Sequence, residues 1–178
     1  MGTIEESGGL IRRTHPTDLA AIAAIYADYV DHTTVTFAET APGLDEWRAR
    51  LTDLTTRGLP FLTAELDGDV VGMAYCSPWK TKTAYRYTVE STIYLSPSAA
   101  GRGLGTALLT RLLDLCAEVG VREVIAVIAD NGNAASERLH ERCGFVQAGR
   151  LTGVGVKHGK TLDTVLLQRS LPGRPDET

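Results

Sequence analysis

The chain has 178 residues, of which 43% are hydrophobic, enough to bury a sizeable core in one domain. Its formal net charge of −4 does not favour nucleic acid as a partner. No apolar run approaches the roughly 20 residues of a membrane span, residues 1–10 lack a signal-peptide pattern, and the three cysteines have no metal-like spacing. We expect a cytoplasmic, metal-free protein that does not contact membranes. We also expect one domain over residues 1–178, with a core at about 10–171 and loose ends at 1–8 and 172–178.

The first part of the chain is predicted to form a short strand and two helices. The strand lies at 10–13, and a helix then begins at Thr14-His15-Pro16. A second helix follows Pro42-Gly43 and ends at Gly58, after a loop at 33–40. Apolar residues at helical spacing give the first helix a buried stripe at Leu19, Ile22, Ala23, Tyr26 and Val30, and the second one at Leu44, Trp47, Leu51 and Leu54.

The middle of the chain is predicted to form three strands. Residues 61–66 and 70–75 flank Asp67-Gly68-Asp69, which is a strong hairpin signal. A basic and aromatic loop at 78–87 leads to the third strand, at 88–95.

The last part of the chain alternates helices and strands. A helix runs from about Gly103 to Gly120, and a second begins at Asn133, capped by that side chain, and ends at Gly144. Between them, the continuous apolar run at 124–128 predicts a central strand covered on both faces. Two strands at 145–156 and 162–170 follow. This order predicts an α+β fold with a mixed, largely antiparallel central sheet flanked by helices.

A glycine-rich loop at 100–105 joins a strand to a long helix. Gly101, Gly103 and Gly105 leave the turn free of side chains, so several backbone N–H groups can converge at the helix N-terminus. Arg102 adds a full positive charge, and the loop is therefore predicted to bind a diphosphate. It lacks the Gly-Lys-Ser/Thr ending of a P-loop, and its mid-chain position does not favour a dinucleotide fold. A tight turn without a ligand is the alternative.

Two titratable side chains stand out beside this loop. Glu90 lies in mid-strand and shares a face with Thr88, Thr92 and Tyr94, either in a cleft or on an exposed sheet face. His140 lies about two helical turns after Asn133, so it faces either the same groove or the solvent.

The strand–loop–helix pattern resembles the GNAT superfamily of acyl-CoA N-acyltransferases. The superfamily motif Gln/Arg-x-x-Gly-x-Gly/Ala falls on residues 100–105, with Ala100 in place of the Gln or Arg. Residues 133–136 resemble the later Asn-x-x-Ala/Ser signature, and residues 139–145 resemble Leu-Tyr-Glu-x-x-Gly-Phe, with His140 in place of the tyrosine. Because backbone amides bind most of the phosphate in this superfamily, we expect Ala100 to weaken CoA binding, with Arg102 as a possible compensation.

Further segments are similar to one subfamily, the phosphinothricin acetyltransferases, from about residue 10 to 171. They are Thr34-Val35-Thr36-Phe37, Trp79-Lys80, Ala84-Tyr85, Thr88-Val89-Glu90-Ser91-Thr92, Leu139-His140-Glu141 and Lys157-His158-Gly159. The resemblance implies acetyl transfer from acetyl-CoA to the α-amino group of phosphinothricin, methionine sulfoximine or a related amino acid. It also implies a homodimer.

The resemblance assigns roles to individual residues. The acyl-CoA arm is expected in a splay between two central strands, at 93–95 and 126–128. Glu90 is the expected general base, and His140 is expected to protonate the CoA thiolate or to hold a hydrogen bond to it. The expected cofactor contacts are Ile93, Tyr94, Leu95, Gly101, Arg102, Gly103, Leu104, Gly105, Thr106, Asn133 and Ser136. The expected substrate contacts are Phe37, Lys80, Lys82, Tyr85 and Glu90.

Other functions remain open at this stage. Lys82-Thr83 stands where the subfamily has Arg-Asn, so a bidentate contact becomes a point charge and phosphinothricin itself is less certain. The same fold acetylates polyamines, aminoglycosides and peptide N-termini, although the basic loop at 78–87 argues against polycationic amines. A non-catalytic acyl-CoA sensor and a nucleotide-binding protein are the alternatives from other classes.

Overall fold

The computed structural model describes residues 4–6 and 9–172. Within them, eight strands form one sheet: β1 (Ile4–Glu6), β2 (Gly9–Arg13), β3 (Phe61–Leu66), β4 (Asp69–Pro78), β5 (Thr88–Leu95), β6 (Glu123–Asp130), β7 (Val146–Lys157) and β8 (Lys160–Ser170). The helices are α1 (Leu19–His32), α2 (Leu44–Thr56), α3 (Leu104–Glu118) and α4 (Ala135–Arg142). No helix in this part of the chain is long and apolar enough to cross a membrane.

The strands lie in the order β1-β2-β3-β4-β5-β6-β8-β7. Only β5 and β6 pair in parallel, and every other neighbouring pair is antiparallel. The mixed, largely antiparallel sheet predicted from the element order is therefore confirmed. Strand β1 was not predicted, because residues 1–8 read as a loose end; Ile4–Glu6 instead pair with Gly9–Ile11. Of the predicted loose end at 172–178, residues 173–178 lie outside the described residues.

The first arm of the sheet consists of β1 to β5, and its strands β2 to β5 are covered on both faces. Its alternation sends Phe61, Met73 and Tyr75 toward α1 and α2, where they pack with Trp47 and Leu19. The intervening residues of the same strands face α3 and join its apolar stripe in a second cluster, which includes Leu62, Ala64, Ala74, Cys76, Leu108 and Leu112. Two cores therefore hold this arm rigidly from opposite sides.

The second arm of the sheet, formed by β6, β8 and β7, is covered on one face only. Val124, Ala126 and Val165 join the core beneath α3, but Val127 is 41% exposed on the opposite face of β6. The prediction that residues 124–128 are covered on both faces was therefore wrong. Helices α1 and α2 pack on the first arm and leave this face open. An apolar run alone does not distinguish a doubly covered strand from one beside a cavity.

The two arms separate where β5 and β6 stop pairing. Their register runs only from Thr88↔Glu123 to Ser91↔Ala126. Beyond that point β5 continues to pair with β4 as far as Leu95, and β6 continues with β8 as far as Asp130. The sheet therefore has an internal opening whose edges carry backbone groups with no partner across the gap.

Candidate active site

A cavity of about 580 Å³ lies at this opening. The diverging ends of β5 and β6 form its floor, the 33–40 loop and α1 form one wall, and the start of α4 forms the other. Its lining includes Ile93, Tyr94 and Leu95 on one side and Ala126, Val127 and Ile128 on the other. The splay predicted between residues 93–95 and 126–128 is thus present in the fold, and it opens directly onto the cavity.

Glu90 lies at the base of the cavity, just before β5 and β6 separate. Its carboxyl is half-buried beside Tyr75 and Thr92 on the face of β5 that looks toward α1 and α2. Burial raises the pKa of the Glu90 carboxyl, and the Lys80 ammonium partly opposes that rise. Glu90 is the only carboxylate among the described lining residues. A carboxylate with a raised pKa in a cleft is the arrangement expected of a general base.

A cluster of tyrosines surrounds the same end of the cavity. The Tyr94 ring makes an edge contact with Tyr26, with centroids 5.0 Å apart, and a tilted contact with Tyr29, with centroids 5.1 Å apart. The Tyr29 hydroxyl donates a 2.6 Å hydrogen bond to the Leu95 carbonyl, and burial raises the pKa of Tyr75 and of Tyr94. These hydroxyls therefore stay protonated at neutral pH.

The sequence reasoning did not identify this cluster as part of the site. Tyr26 was assigned only to the buried stripe of α1, and Tyr94 only to cofactor binding. The spacing of Tyr26 and Tyr29, three residues apart on one helix, was the available signal. Other cavity-lining residues that it did not assign to the site include Thr36, Tyr75, Ala129, Asn131 and Thr164.

His140 lines the cavity from α4, and the alternative of a solvated His is wrong because only 2% of its surface is exposed. Its Nδ1 lies 2.8 Å from the Ser136 carbonyl oxygen, and its ring packs edge-on against Phe145. Because that oxygen only accepts, Nδ1 carries the proton and Nε2 presents a lone pair. Nε2 has no hydrogen-bond partner in the described structure. Burial lowers the His140 pKa, so the ring is neutral at neutral pH.

The chain between β6 and α4 is folded by its own amide and carboxylate side chains. The Gly132 N–H donates to Asp130, the Asn133 N–H donates to Asn131, and the Ala135 N–H donates to Asn133. The helix begins at Ala135 with Ala134 at its N-cap and no side-chain cap, so the predicted cap by Asn133 was wrong. Asn133 Oδ1 instead accepts the Ala135 N–H in the turn that precedes the helix. Asn133 and Ser136 both line the cavity, as the predicted cofactor contacts require.

The glycine loop lies beside the cavity, whose lining includes its neighbours Ser96, Pro97 and Ala100. Gly101 and Gly103 have φ angles of +76° and +78°, a region that L side chains rarely adopt, and a Cβ at either would meet open space. Gly105 packs closely against Leu95 and Leu139. The Leu104 side chain is buried in the core, so only its backbone is available to a ligand. Arg102 is exposed, and Thr106 is half-buried.

The predicted substrate contacts are only partly brought together. Phe37 lines the cavity, and Lys80 acts electrostatically on Glu90 from an exposed position over the Trp79 ring. Lys82 and Tyr85 are exposed and lie outside the described cavity lining. The Tyr85 N–H donates to the Lys82 carbonyl at 3.0 Å, which folds this segment on itself. The single chain therefore gives Lys82 and Tyr85 no contact with the cavity.

No group of three or more His, Cys, Asp or Glu within residues 4–6 and 9–172 is arranged to hold a metal ion. The cysteines also lie apart from the cavity lining: Cys76 and Cys116 are buried in the core with their sulfurs 3.3 Å apart, and Cys143 is half-buried at the end of α4. The chemistry that the cavity offers is therefore that of Glu90, His140 and the tyrosine hydroxyls.

Comparison with known proteins is consistent with this geometry. The profile of the acetyltransferase (GNAT) family matches residues 22–145. A phosphinothricin N-acetyltransferase from Alcaligenes faecalis is 45% identical over 90% of this chain and 82% of its own length. An L-methionine sulfoximine/L-methionine sulfone acetyltransferase from Salmonella typhimurium is 37% identical over 90% of this chain and 94% of its own.

Among solved structures, a GNAT superfamily phosphinothricin acetyltransferase from Sinorhizobium meliloti in complex with acetyl-CoA superposes with a TM-score of 0.90. It is 38% identical and covers 96% of this chain and 94% of its own. The family and subfamily resemblance seen in the sequence is confirmed. The chain therefore belongs to the acetyltransferase (GNAT) family and is an acetyl-CoA-dependent N-acetyltransferase.

Proposed function

We propose that this enzyme acetylates the α-amino group of a small amino acid or analogue of the phosphinothricin or methionine sulfoximine type, with Glu90 as general base. The names of its relatives support this substrate class. The observation that carries the proposal is one half-buried carboxylate, Glu90, at the base of the cavity, with the exposed ammonium of Lys80 close enough to oppose the rise of its pKa. An α-amino acid presents an amine and a carboxylate side by side, and these two groups complement it.

The charge of the cavity argues against polycationic amines. Polyamines and aminoglycosides are best held by several carboxylates, whereas Glu90 is the only one in the described lining. The basic residues of the 79–87 loop would repel such amines further. A peptide N-terminus remains the alternative substrate that the cavity does not exclude on charge.

The amine must lose a proton to become a nucleophile. A free carboxylate titrates near 4.3 and an amino-acid ammonium near 9 to 10, so direct proton transfer is strongly uphill. Burial raises the pKa of Glu90 and narrows that gap. The neutral amine then attacks the thioester carbonyl directly. The C–N bond forms, the C–S bond breaks, and the proton that the acetylated nitrogen loses neutralises the departing thiolate as the CoA thiol. An enzyme-bound acyl group is not required, in agreement with a described lining that contains no cysteine.

His140 acts in this scheme as a hydrogen-bond acceptor. Protonation of the departing thiolate would need an imidazolium, which burial disfavours at neutral pH. The neutral ring has an unpartnered Nε2 lone pair, and we propose that this nitrogen accepts a hydrogen bond from the CoA thiol or the pantetheine arm. Of the two roles that the sequence suggested for His140, thiolate protonation is thus disfavoured by this geometry.

The residues around the opening fit the acyl donor. Unpaired backbone groups of 92–95 and 127–129 can pair with an extended amide-containing arm as an added strand would. The open positive-φ glycines at 101 and 103, with Arg102 between them, suit a diphosphate at the start of α3. Asn133 and Ser136 supply further polar groups on the opposite wall.

We also propose a homodimer that forms through the edge strand β7 of the second arm. Val146, Leu151, Val154 and Val156 of the edge strand β7 are exposed by 46–66%, which is unusual for one strand of a monomer. A second copy of the chain would cover them, as the resemblance to a homodimeric subfamily implies. Light scattering should give twice the 19.1 kDa chain mass, and Val154→Asp together with Val156→Asp should give the monomer. A monomeric parent protein would contradict the proposal.

A cytoplasmic location is the last part of the proposal. All three cysteines are free thiols, including two whose sulfurs are within 3.3 Å of each other. Adjacent unpaired thiols are typical of proteins in a reducing compartment.

The decisive experiment measures CoA release from acetyl-CoA across a panel of amines. The panel contains phosphinothricin, methionine sulfoximine, common amino acids, an alanine-initiated peptide, spermidine and an aminoglycoside. Turnover confined to the amino acids and their analogues is expected. Turnover only with the peptide or the polycations would overturn the substrate assignment, and CoA binding without any turnover would favour the sensor alternative.

A further inference from the structure

The 33–40 loop, which forms one wall of the cavity, rests on strand β7. Two residues of that strand carry the contact, Gly155 and Lys157. They are two positions apart and therefore lie on the same face of β7, while Val154 and Val156 point to the exposed face. The loop belongs to the N-terminal half of the chain, so this contact joins the two arms of the sheet across the cavity.

The Phe37 ring packs against Gly155. A Cβ added at Gly155 would lie 2.6 Å from Cε2 and 2.7 Å from Cζ of Phe37, well inside van der Waals contact. The ring therefore lies directly on the backbone of β7. Any side chain at position 155 would overlap with the space that the ring occupies. The backbone φ of Gly155 does not require glycine, so the close approach of Phe37 is the reason for the residue type.

Lys157 fixes the residue before Phe37. Its Nζ donates a 2.9 Å hydrogen bond to the Thr36 carbonyl, and only 3% of the Lys157 surface is exposed. The carboxylates of Asp31 and Glu39 act on this ammonium from the two ends of the loop. A buried ammonium is costly unless hydrogen bonds and opposite charges compensate it. Here the compensation comes from the loop itself.

Thr36 transmits this contact into the cavity. Its hydroxyl is 2.9 Å from the Tyr26 hydroxyl, and its Oγ1 accepts the Ala38 N–H at 3.2 Å. Thr36 and Phe37 both line the cavity opposite Glu90. The position of the cavity wall that faces Glu90 thus depends on β7, whereas Glu90 itself lies on β5.

We propose that Gly155 and Lys157 are positioning residues that determine amine specificity, because they fix how far Phe37 stands from Glu90 and hence the size of substrate side chain that fits. The inference rests on the proposed function. It assigns specificity to a strand that contributes neither the base nor the glycine loop. Acetyl-CoA binding, which uses the opposite side of the opening, is not expected to depend on the two residues.

The test compares Gly155→Ala and Lys157→Met with matched controls. Gly149→Ala changes a glycine of the same strand where a Cβ meets only an ordinary 3.9 Å contact, and Lys160→Met removes the exposed lysine that pairs with Lys157 across the turn. Both test variants should raise the KM for large amino acids such as methionine sulfoximine by about tenfold relative to alanine. The Kd for acetyl-CoA should change less than twofold. Lys157→Arg should partly restore the selectivity because it retains the cation and N–H donors.

Selectivity that is the same in the test variants as in the two controls would overturn the inference, whatever happens to the melting temperature. A loss of thermal stability with parallel losses for every amine would assign Gly155 and Lys157 a purely structural role and also overturn it. If the unmodified enzyme acetylates a different class of amine, the proposed substrate class is wrong, but the inference can still be tested. The ratio of KM values is then measured with large and small members of that other class. If Gly155→Ala does not fold, Lys157→Met against Lys160→Met decides.

Discussion

The two arms of the sheet contain the same kinds of strand but differ in how they are covered. The first arm lies between α1 and α2 on one face and α3 on the other, and its central side chains, such as Met73 and Ala74, are completely buried. The second arm has a core on one face only, and its other face exposes Val127 and Leu151. The chain places its candidate base on the covered arm and leaves the open arm to meet other molecules.

This difference separates two requirements of the reaction. A general base must be held rigidly and partly desolvated, which the double packing around β5 provides for Glu90. Substrates must enter and leave, which requires accessible surface. The 33–40 loop connects the two arms of the sheet, because it follows a helix that packs on the covered arm and it rests on the open arm.

The largest effect is expected when the candidate base on the covered arm is removed. Glu90→Gln should lower kcat by about 10²–10⁴-fold, the usual loss when a general base is removed, and leave the acetyl-CoA Kd unchanged. The protonated carboxyl is inactive and burial raises its pKa, so activity of the parent enzyme should fall with decreasing pH at a higher pH than an ordinary glutamate would give. Glu90→Gln should lose that acid limb.

Asp69→Asn is the matched control for this prediction. It neutralises an exposed carboxylate on β4 of the same arm, far along the sheet from the cavity, and should leave the pH–rate profile unchanged. An unchanged rate and acid limb in Glu90→Gln would remove Glu90 from the mechanism.

A smaller effect is expected at the glycine loop, where the two arms meet α3. Gly103→Ala should weaken acetyl-CoA binding by about tenfold or more, because an added methyl group would occupy the open space in front of the loop amides. Gly120→Ala has nearly the same backbone conformation, with φ of +85° against +78°, and equally open surroundings.

Both glycine variants should lose about 1–2 kcal/mol of unfolding free energy, because both place a side chain in the left-handed region. Calorimetric titration with acetyl-CoA, together with thermal unfolding, separates this shared strain from binding. Equal acetyl-CoA affinities in the two variants would show that the loop does not bind the donor.

The smallest effect concerns the pH dependence of stability. His140 is buried and its folded pKa is lowered, so below about pH 6.5 the unfolded state binds a proton that the folded state does not. The unfolding free energy should therefore fall as the pH decreases through this window, by up to about 1.4 kcal/mol per pH unit. Above pH 6.5 His140 should make no such contribution.

His140→Gln should show a shallower decline in melting temperature between pH 6.5 and 5 than the parent protein. His32→Gln, on the exposed end of α1, serves as the control for replacing a histidine outside the cavity. Identical slopes for the parent and His140→Gln would show that folding does not lower the pKa of the buried ring, and would restore thiolate protonation as a candidate role.

Most of the fold could be predicted because local patterns and tertiary packing agree. The stripe of Leu19, Ile22 and Val30 and the Asp67-Gly68 turn each describe one element unambiguously. The coverage of β6 could not be predicted, because Val127 follows the same apolar pattern whether a helix or a cavity lies above it. Strand β1 depends on pairing with β2, which a polar segment at a chain end does not reveal.

The site residues were predicted from sequence motifs, so residues outside those motifs were missed. Glu90, Asn133 and His140 lie in recognisable segments, and the structure brings all three to one cavity. The contact between Phe37 and Gly155 spans more than a hundred positions and leaves no local pattern. Lys157 was noted only as part of a similar segment, since nothing in the sequence indicates that a lysine beside a turn is buried.

The opening between β5 and β6 also bears on how such a site tolerates evolutionary change. A ligand that pairs with a strand edge is held by main-chain groups, which every residue type other than proline supplies in full. Ile93 can therefore keep its side chain in the core while its backbone lines the cavity. Substitutions at this position are limited by packing in the core more than by ligand binding. Recognition of the donor is in this sense encoded in the topology, which leaves the amine-facing wall free to diverge toward new substrates.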